Sequence, residues 1–523
     1  MKSDRLTLIV QDLTPTRILL LIVLLGFWIR IFFVLSTDFP LNDGGMFMTM
    51  VEDLQRNHFL LPAYTSYNVS HIPYAYPPLP FYIAGAISSI LHIPVLTILH
   101  ILPAIISTLT IPAFYGIALC IFRKQKMALL ATTIFSLLPK SYEWFIMGGG
   151  LTRSFGFFFA LIAIWVIGKA YLKSSVSYTI IAGVFLGLSL LSHMEMSLFA
   201  LYSMALITLY LDKSIHGLMR LGIAYTVGLC VALPWIITII RIHGLTPFES
   251  AMHTGFWSYY SLLPLVLFNI TSEPFLNIFA VFGLLGTIGS LITSTYILPL
   301  WLVCVFVINQ RSPQNMGTVP FALLIAVGLY MFLWQPLKQY LSGATRKLTI
   351  TILIIVWNIY LLSMIIALMY PSYSSLQAIS FEQRQAMTWV KQNIPKRSSF
   401  LVMTSIPASA WYVEREAEWF PALTQHKSPL TIQGTEWLPK RAFNEIYKQR
   451  KDWKLCNNED VSCLEKTAQK YNITYDYIYL DTYISYNTAP CCALLEKSLK
   501  ASVRYKKIYD KENISIWMKK IHQ

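Results

Sequence analysis

An acidic segment follows the first long apolar run of the chain, and it holds a strong candidate for chemistry. Asp43 precedes Gly44 and Gly45, whose lack of side chains lets the backbone turn closely around the carboxylate. Two roles are open for Asp43: a general base at the membrane surface, or an N-cap carboxylate for the helix expected after the glycines. That helix carries Glu52 and Asp53, which we expect on a solvated face.

A second candidate segment is rich in glycine and ends in an arginine. Gly148–Gly150 precede Arg153, and Glu143 is the acidic residue of the segment. Backbone N–H groups at a helix start, together with a fixed guanidinium charge, suit a phosphate group. The alternative is a flexible turn whose arginine reaches toward the membrane interface. Arg241, which follows a later apolar run, is a second candidate for binding phosphate.

Histidine and glutamate side chains occur at a turn between two further apolar runs. His193 and Glu195 could position substrate hydroxyl groups, or they could form a satisfied polar turn. With Asp43 and Glu52 they are also candidate ligands for a divalent metal ion. His71 could line the same cleft, although a histidine on a surface loop is the simpler assignment.

The composition shows what must position these residues. Of the 523 residues, 55% are hydrophobic and only 13% are charged, which excludes an ordinary soluble globule. About eleven apolar runs are candidate membrane spans, since a spanning helix needs about 20 apolar residues. These runs are 18–35, 95–122, 127–146, 154–167, 178–191, 198–211, 218–240, 274–292, 295–308, 319–333 and 348–370.

The distribution of basic residues predicts how the chain crosses the membrane. Lys and Arg prefer short cytoplasmic loops, and alternate loops here carry clusters such as Arg123–Lys126. This pattern places the N-terminus in the cytoplasm and the loops 36–94 and 241–273 on the outer face, and the plasma membrane is the expected location. Tyr76–His92 fits the count only as a helix lying in the outer interface, where its prolines suit a helix start.

The last part of the chain has the composition of a soluble domain. Residues 376–523 hold 22 of the 41 basic and 15 of the 26 acidic residues, so 1–375 and 376–523 are predicted to be separate domains. A helix over Phe381–Asn393 and strands over Phe400–Thr404 and Tyr477–Asp481 indicate an α/β domain outside the cytoplasm.

Two kinds of side chain stand out in that domain. An oxidising compartment would allow its cysteines to pair, and a Cys456–Cys463 bridge is one possibility beside free thiols, with Cys491 and Cys492 also present. Trp419 and Trp437 could stack on sugar rings, or they could pack the domain on the membrane part.

The first half of the chain resembles the GT-C glycosyltransferases, which include protein O-mannosyltransferases, aminoarabinose transferases and the catalytic subunit of oligosaccharyltransferase. The resemblance covers roughly residues 14–245. It rests on a first span followed by an acidic loop, on Tyr76-Pro77-Pro78-Leu79 opening an apolar helix, and on a long span ending in a basic loop. In this family an acidic residue of the first outer loop is catalytic, and Asp43 matches it. Several members carry an acidic residue after this arginine, whereas Arg153 is followed by Ser154 here. The resemblance therefore gives little support to a metal site built from two carboxylates.

The resemblance implies transfer of a sugar from a polyprenyl-phosphate lipid to a glycan, lipid or protein acceptor at the outer face. Asp43 would take the proton of the attacking hydroxyl, and Arg153 with Arg241 would stabilise the departing phosphate. A single displacement inverts the anomeric carbon. No cofactor is required, although a divalent metal is possible, and no nucleic-acid partner is expected. The substrate-positioning candidates are His193, Glu195, Glu143, His71 and Tyr76.

Two other classes of function remain open from the sequence. A transporter or flippase would use the same cleft as a passage for a lipid-linked substrate, but paired repeats with broken helices are not evident. A non-catalytic membrane scaffold that binds glycan would tolerate the substitution Asp43→Asn. Neither class explains why acidic residues, a glycine-rich turn and histidines collect on the predicted outer loops.

Overall fold

The computed structural model is mostly helical and confirms the predicted fold class, a polytopic α-helical membrane protein with a small C-terminal sheet. It describes residues 14–253, 262–267, 270–271, 273, 276–369, 376–439, 442–482 and 491–520. The predicted loop 241–273 therefore lies partly outside the described residues.

In chain order the described helices before residue 370 are α1 Pro15–Leu35, α2 Gly45–Arg56, α3 Leu79–Leu91, α4 Val95–Phe122, α5 Gln125–Leu137, α6 Gly150–Leu172, α7 Val176–Leu190, α8 Met194–Leu211, α9 Ile215–His243, α10 Thr246–Met252, α11 Leu263–Val266, α12 Ile278–Ile292, α13 Ile297–Ile308, α14 Pro313–Gly328, α15 Gln335–Tyr340 and α16 Gly343–Met369.

Seven helical segments in the described residues are long and apolar enough to cross a membrane. They are α1, α4, α6, α8, α9, the continuous segment from α14 through α15, and α16. The other four predicted spans coincide with the shorter helices α5, α7, α12 and α13. Helix α3, predicted to lie in the interface, has 13 residues and would extend only about 20 Å, less than the ~30 Å thickness of a hydrocarbon core.

A buried arginine connects three of these helices. Arg30 of α1 is fully buried, and its guanidinium donates to the Ser107 hydroxyl on α4 and to the Ser136 carbonyl in the last turn of α5. It also donates to the hydroxyl of Ser141, just after α5. Because a charge in a membrane interior is tolerated only with polar partners, these contacts hold the end of α5 and the loop that follows it.

The loop between α2 and α3 is fastened by a residue expected to be solvated. Asp53 is buried and accepts hydrogen bonds from the Thr65 hydroxyl and from the backbone N–H of Ser66. Thr65 belongs to β1 (Tyr64–Thr65), which pairs antiparallel with β2 (Ile72–Pro73). The prediction of a solvated face is therefore wrong for Asp53, because sequence spacing cannot show that the loop folds back over the helix.

The C-terminal region, residues 376–520, contains a four-stranded mixed sheet with helices packed against it. Its elements are α17 Phe381–Asn393, β3 Phe400–Met403, α18 Arg415–Thr424, α19 Ala442–Leu455, α20 Val461–Tyr471, β4 Tyr477–Asp481, α21 Ala493–Ala501, β5 Tyr505–Lys511 and β6 Ile514–Lys519. The strand order is β3-β4-β6-β5, with β3 parallel to β4 and the other pairs antiparallel. The helix and both strands predicted here are confirmed. The cysteines pair as Cys456–Cys463 and Cys491–Cys492.

The C-terminal region shares one hydrophobic core with the first loop. Phe39, Met46 and Tyr67 of the loop belong to the same buried cluster as Trp419 and Phe420 of α18. A buried apolar contact of this kind excludes water and fixes the two parts relative to each other. Helix α18 therefore lies directly over the segment that contains Asp43.

Candidate active site

Asp43 lies between the start of α6 and the start of α2. Its carboxylate accepts two hydrogen bonds from the guanidinium of Arg153, each at 3.1 Å, and a third from the Gly149 N–H at 3.1 Å. The Asp43 and Arg153 side chains are 25% and 19% exposed, so the ion pair is partly shielded from solvent. The Asp43 carboxylate therefore points toward the glycine-rich turn and Arg153.

Helix α2 begins without an N-cap from Asp43, so that proposed role is wrong. The N-cap residue is Gly44, and the free N–H groups of the first turn are satisfied from the C-terminal region. The carboxyl group of Glu418 accepts from Gly44, Gly45 and Met46 at 3.2, 2.9 and 2.9 Å. In the sequence the cap was one of two roles open for Asp43, the nearest acidic residue, whereas in the structure a distant residue provides it.

Glycines permit the close approach of these segments. Gly44 has a φ of 142°, a conformation that side chains disfavour, and a Cβ there would lie 3.1 Å from the ring of Trp419. At Gly149 a Cβ would collide with the carboxylate of Asp43. The glycine-rich turn thus makes room for Asp43 and donates an N–H to it.

Burial changes the ionisation of Glu418. Removal from water, together with the negative charge of nearby Asp43, raises the pKa of this carboxyl group to about 8, although the three N–H donors of α2 oppose the shift. The two carboxyl groups therefore interact electrostatically across the start of α2.

A polar cluster lies on the other side of Arg153. Thr152 donates to the Tyr76 hydroxyl at 3.4 Å, and the Tyr76 ring lies 6.2 Å from the ring of His193. Arg153 is within electrostatic range of His193 and of Glu195. The structure thus brings together five of the predicted site residues: Asp43, Tyr76, Arg153, His193 and Glu195.

Two charged residues of this cluster were not among the candidates from the sequence. Arg311, between α13 and α14, is within electrostatic range of His193, Glu195 and Glu436. Glu436 comes from the C-terminal region, and burial raises the pKa of its carboxyl group. In the sequence Arg311 is one more cation of a predicted outer loop, and its placement depends on how α13 and α14 pack.

The same region concentrates unsatisfied polar atoms. Four buried atoms have no hydrogen-bond partner within the part of the chain that the structure describes: Arg153 Nε, His193 Nδ1, Glu195 Oε1 and Trp437 Nε1. The Trp437 ring lies 5.6 Å from the Tyr76 ring, so Trp437 belongs to the same cluster. Buried polar groups are rarely left unpaired, and a polar ligand that reaches this cluster would satisfy them.

Four other candidates lie apart from this cluster. Glu143 forms an ion pair with Lys140 at 2.9 Å. Arg241 is exposed at the end of α9, where its neighbour His243 donates to the Ala63 carbonyl. The remaining two, Glu52 and His71, line a separate groove of about 570 Å³ against α18, and neither Asp43 nor Arg153 lines it.

The proposed metal ligands are not assembled into a site. Among the described residues, no group of three or more His, Cys, Asp or Glu side chains is placed to hold a metal ion. Glu52 lines the separate groove, and Asp43 is occupied by Arg153 and Gly149. The four residues Asp43, Glu52, His193 and Glu195 therefore do not fit a shared metal ion in this arrangement.

Trp419 and Trp437 of the C-terminal region both pack against residues of the first loop. Trp419 is fully buried, its ring packs edge-on against Phe39 at 4.7 Å, and its indole N–H donates to the Asn42 carbonyl. Trp437 is 4% exposed and packs against Tyr76. The reading in which they pack the C-terminal region on the membrane part is confirmed for Trp419.

Comparison with known proteins identifies the fold. No protein-family model matches the chain, and no curated protein matches it by sequence. Among solved structures, the oligosaccharyltransferase of Archaeoglobus fulgidus, in complex with Zn and sulfate, is similar at 14% identity with a TM-score of 0.54, over 89% of this chain and 68% of that one.

Two further solved structures have the same fold. ArnT from Cupriavidus metallidurans, bound to undecaprenyl phosphate, is similar at 12% identity with a TM-score of 0.55, over 95% of this chain and 97% of that one. The mycobacterial arabinofuranosyltransferase AftD is similar at 12% identity with a TM-score of 0.56, over 97% of this chain but only 42% of that one. The expected resemblance to GT-C glycosyltransferases is thus confirmed at the level of fold.

Proposed function

We propose that this protein is a membrane glycosyltransferase that takes a sugar from a polyprenyl-phosphate donor and passes it to an acceptor hydroxyl or amide. One observation carries the proposal: the Asp43 carboxylate is paired with Arg153, which belongs to a cluster whose buried polar atoms have no partner in the described part of the chain. The similarity to ArnT, which was solved with undecaprenyl phosphate bound, supports the choice of donor.

The reaction needs a base and a group that stabilises the leaving phosphate. Asp43 accepts the proton of the acceptor while the acceptor atom forms a bond to the anomeric carbon. The bond between that carbon and the phosphate oxygen breaks, and the lipid phosphate leaves with the electron pair. This single displacement inverts the configuration of the anomeric carbon.

Arg153 can serve both partners because its guanidinium has several donors. One terminal nitrogen already contacts both oxygens of Asp43, while Nε is buried without a partner in the described part of the chain. That free donor is available to a phosphate oxygen, and Arg311 adds a second positive charge nearby. Arg311 replaces Arg241 as the second phosphate candidate, because Arg241 is exposed at the end of α9.

Sugar transfer from a panel of radiolabelled polyprenyl-phosphate sugars, measured in membranes with matched expression, tests the proposal. We expect the wild type to transfer one of the sugars and Asp43→Asn to lose about 10²–10⁴-fold in rate, the usual contribution of a general base. Arg153→Met should lose about 10²–10³-fold, the scale for one donor to a developing charge.

Asp38→Asn is the matched control, because Asp38 is a carboxylate of the same loop that is 72% exposed and pairs with Arg384. It should transfer at the wild-type rate. Equal transfer by Asp43→Asn and the wild type would remove Asp43 from the mechanism. Absence of transfer by every protein, including the wild type, would reject the proposed function for the donors in the panel.

A further inference from the structure

A helix of the C-terminal region completes the first turn of α2, immediately after Asp43. Glu418 of α18 is 3% exposed, and its carboxyl group accepts the N–H groups of Gly44, Gly45 and Met46. These are donors that a helix cannot satisfy from within its own backbone. A single side chain, distant in sequence, therefore fixes the three residues that follow Asp43.

The residue before Asp43 is fixed by the same helix. The Trp419 indole N–H donates to the Asn42 carbonyl at 2.9 Å, and the Tyr67 hydroxyl donates to the Glu418 carbonyl at 2.6 Å. Asp43 is thus bracketed on both sides by neighbouring residues of α18. The carboxylate of Asp43 itself accepts from Arg153 and Gly149, so Glu418 acts on it through the backbone.

We propose that Glu418 is a positioning residue, which holds the Asp43 carboxylate in its reactive orientation through the backbone of Gly44, Gly45 and Met46. The structural part of this inference stands on the contacts alone, whereas its effect on catalysis rests on the proposed function. Without the carboxyl group, three buried N–H groups lose their partner, and the first turn of α2 would have to open to reach water. Asp43 would then lose the fixed turn that aims it at Arg153.

Two substitutions separate capping from packing. Glu418→Leu keeps a side chain of similar size but removes every acceptor. Glu418→Gln keeps one oxygen and should retain part of the cap. Asp38→Asn is again the control, because it breaks the ion pair with Arg384, another contact between the first loop and the C-terminal region, without touching the start of α2.

The first measurement is amide hydrogen exchange of the full chain in detergent micelles. We expect exchange at Gly44–Met46 to be about tenfold or more faster in Glu418→Leu, a smaller acceleration in Glu418→Gln, and wild-type exchange in Asp38→Asn. Wild-type protection of these amides in Glu418→Leu would overturn the proposal. If Glu418→Leu does not fold, unchanged exchange in Glu418→Gln would overturn it as well.

The second measurement separates a positioning role from a general loss of stability. With the donor found for the wild type, Glu418→Leu should lower kcat by about tenfold or more and leave the donor KM within about twofold, because the donor's binding groups are elsewhere. Glu418→Gln should recover part of kcat. A rise in KM with unchanged kcat would contradict the inference. If the wild type transfers nothing, the proposed function fails, and the exchange result still decides whether Glu418 caps α2.

Discussion

The absence of a side chain at Gly149 determines where the carboxylate of Asp43 lies. The Gly149 N–H donates to Asp43 Oδ1, and the Asp43 carbonyl accepts from the same N–H at 2.8 Å. A methyl group at Gly149 would occupy the position of the Asp43 carboxylate. The ion pair with Arg153 thus depends on the absence of a side chain at its neighbour.

We expect Gly149→Ala to reduce sugar transfer by about 10²-fold, because the displaced carboxylate no longer faces Arg153 and the acceptor; misplacements of about 1 Å can cost this much. Initial transfer rates in membranes would check this. Gly222→Ala is the control, because a Cβ there meets nothing within 4 Å. Equal losses in both variants would point to a general effect of glycine substitution in helices instead.

Part of this site could be predicted from the sequence, because charged and histidine side chains beside apolar runs indicate a functional site by their type alone. Asp43, Arg153, His193 and Glu195 could be predicted as a polar set flanking apolar runs, and the structure brings them together. Glu418 could not be predicted, because a buried glutamate in a polar domain has the same sequence signal as a solvated one. Its role depends on a contact with a helix that is distant in sequence.

At the scale of elements, glycines set how closely the membrane helices pack. Helices α12 and α14 approach at Gly286 and Gly328, and a Cβ on either residue would collide with a backbone carbonyl of the other helix. Small residues allow such approach in membranes, where packing and not hydrophobicity drives helix association. The pair lies at the C-terminal end of α14 and fixes how that end packs against α12.

We expect Gly286→Ala to lower the melting temperature of the purified protein by several degrees, since a methyl group would force α12 away from α14. Thermal unfolding in detergent followed by tryptophan fluorescence would measure the shift. Gly222→Ala, with the same gain in helix propensity and open space around it, should melt at the wild-type temperature or slightly above it. A Gly286→Ala protein with wild-type melting would show that the helices can separate without cost.

The positions of the membrane helices could be predicted because long apolar runs are easy to recognise in a sequence. The residues at which these helices begin and end could not be predicted in the same way. Helix α6 begins at Gly150, four residues before the predicted run at Ser154, so Arg153 lies in its first turn and not in a loop. The sequence reads Gly148–Gly150 as a turn, since glycine favours helices poorly. The tertiary contact with Asp43 determines where the helix starts.

At the scale of the whole molecule, the sidedness of the chain follows from charge. The Arg123–Lys126 cluster and the C-terminal region are predicted to lie on opposite sides of the membrane. We expect a membrane-impermeant maleimide added to intact cells to label Lys396→Cys but not Lys126→Cys; both positions are exposed. The wild type, whose free cysteines in the described residues lie in spans, is the background control. Labelling of Lys126→Cys but not of Lys396→Cys would show that the topology is the reverse of the predicted one.

The two partners of the α2 cap are synthesised at different times. Gly44 and Glu418 are 374 residues apart, and ribosomes add about 5–20 residues per second, so roughly 20–75 s separate their appearance. Through that interval the membrane helices of the nascent chain are made while the turn after Asp43 has no partner for its N–H groups. The C-terminal region, translated after the membrane helices, therefore completes the turn after Asp43, and a chain that stops short of residue 418 carries Asp43 without these contacts.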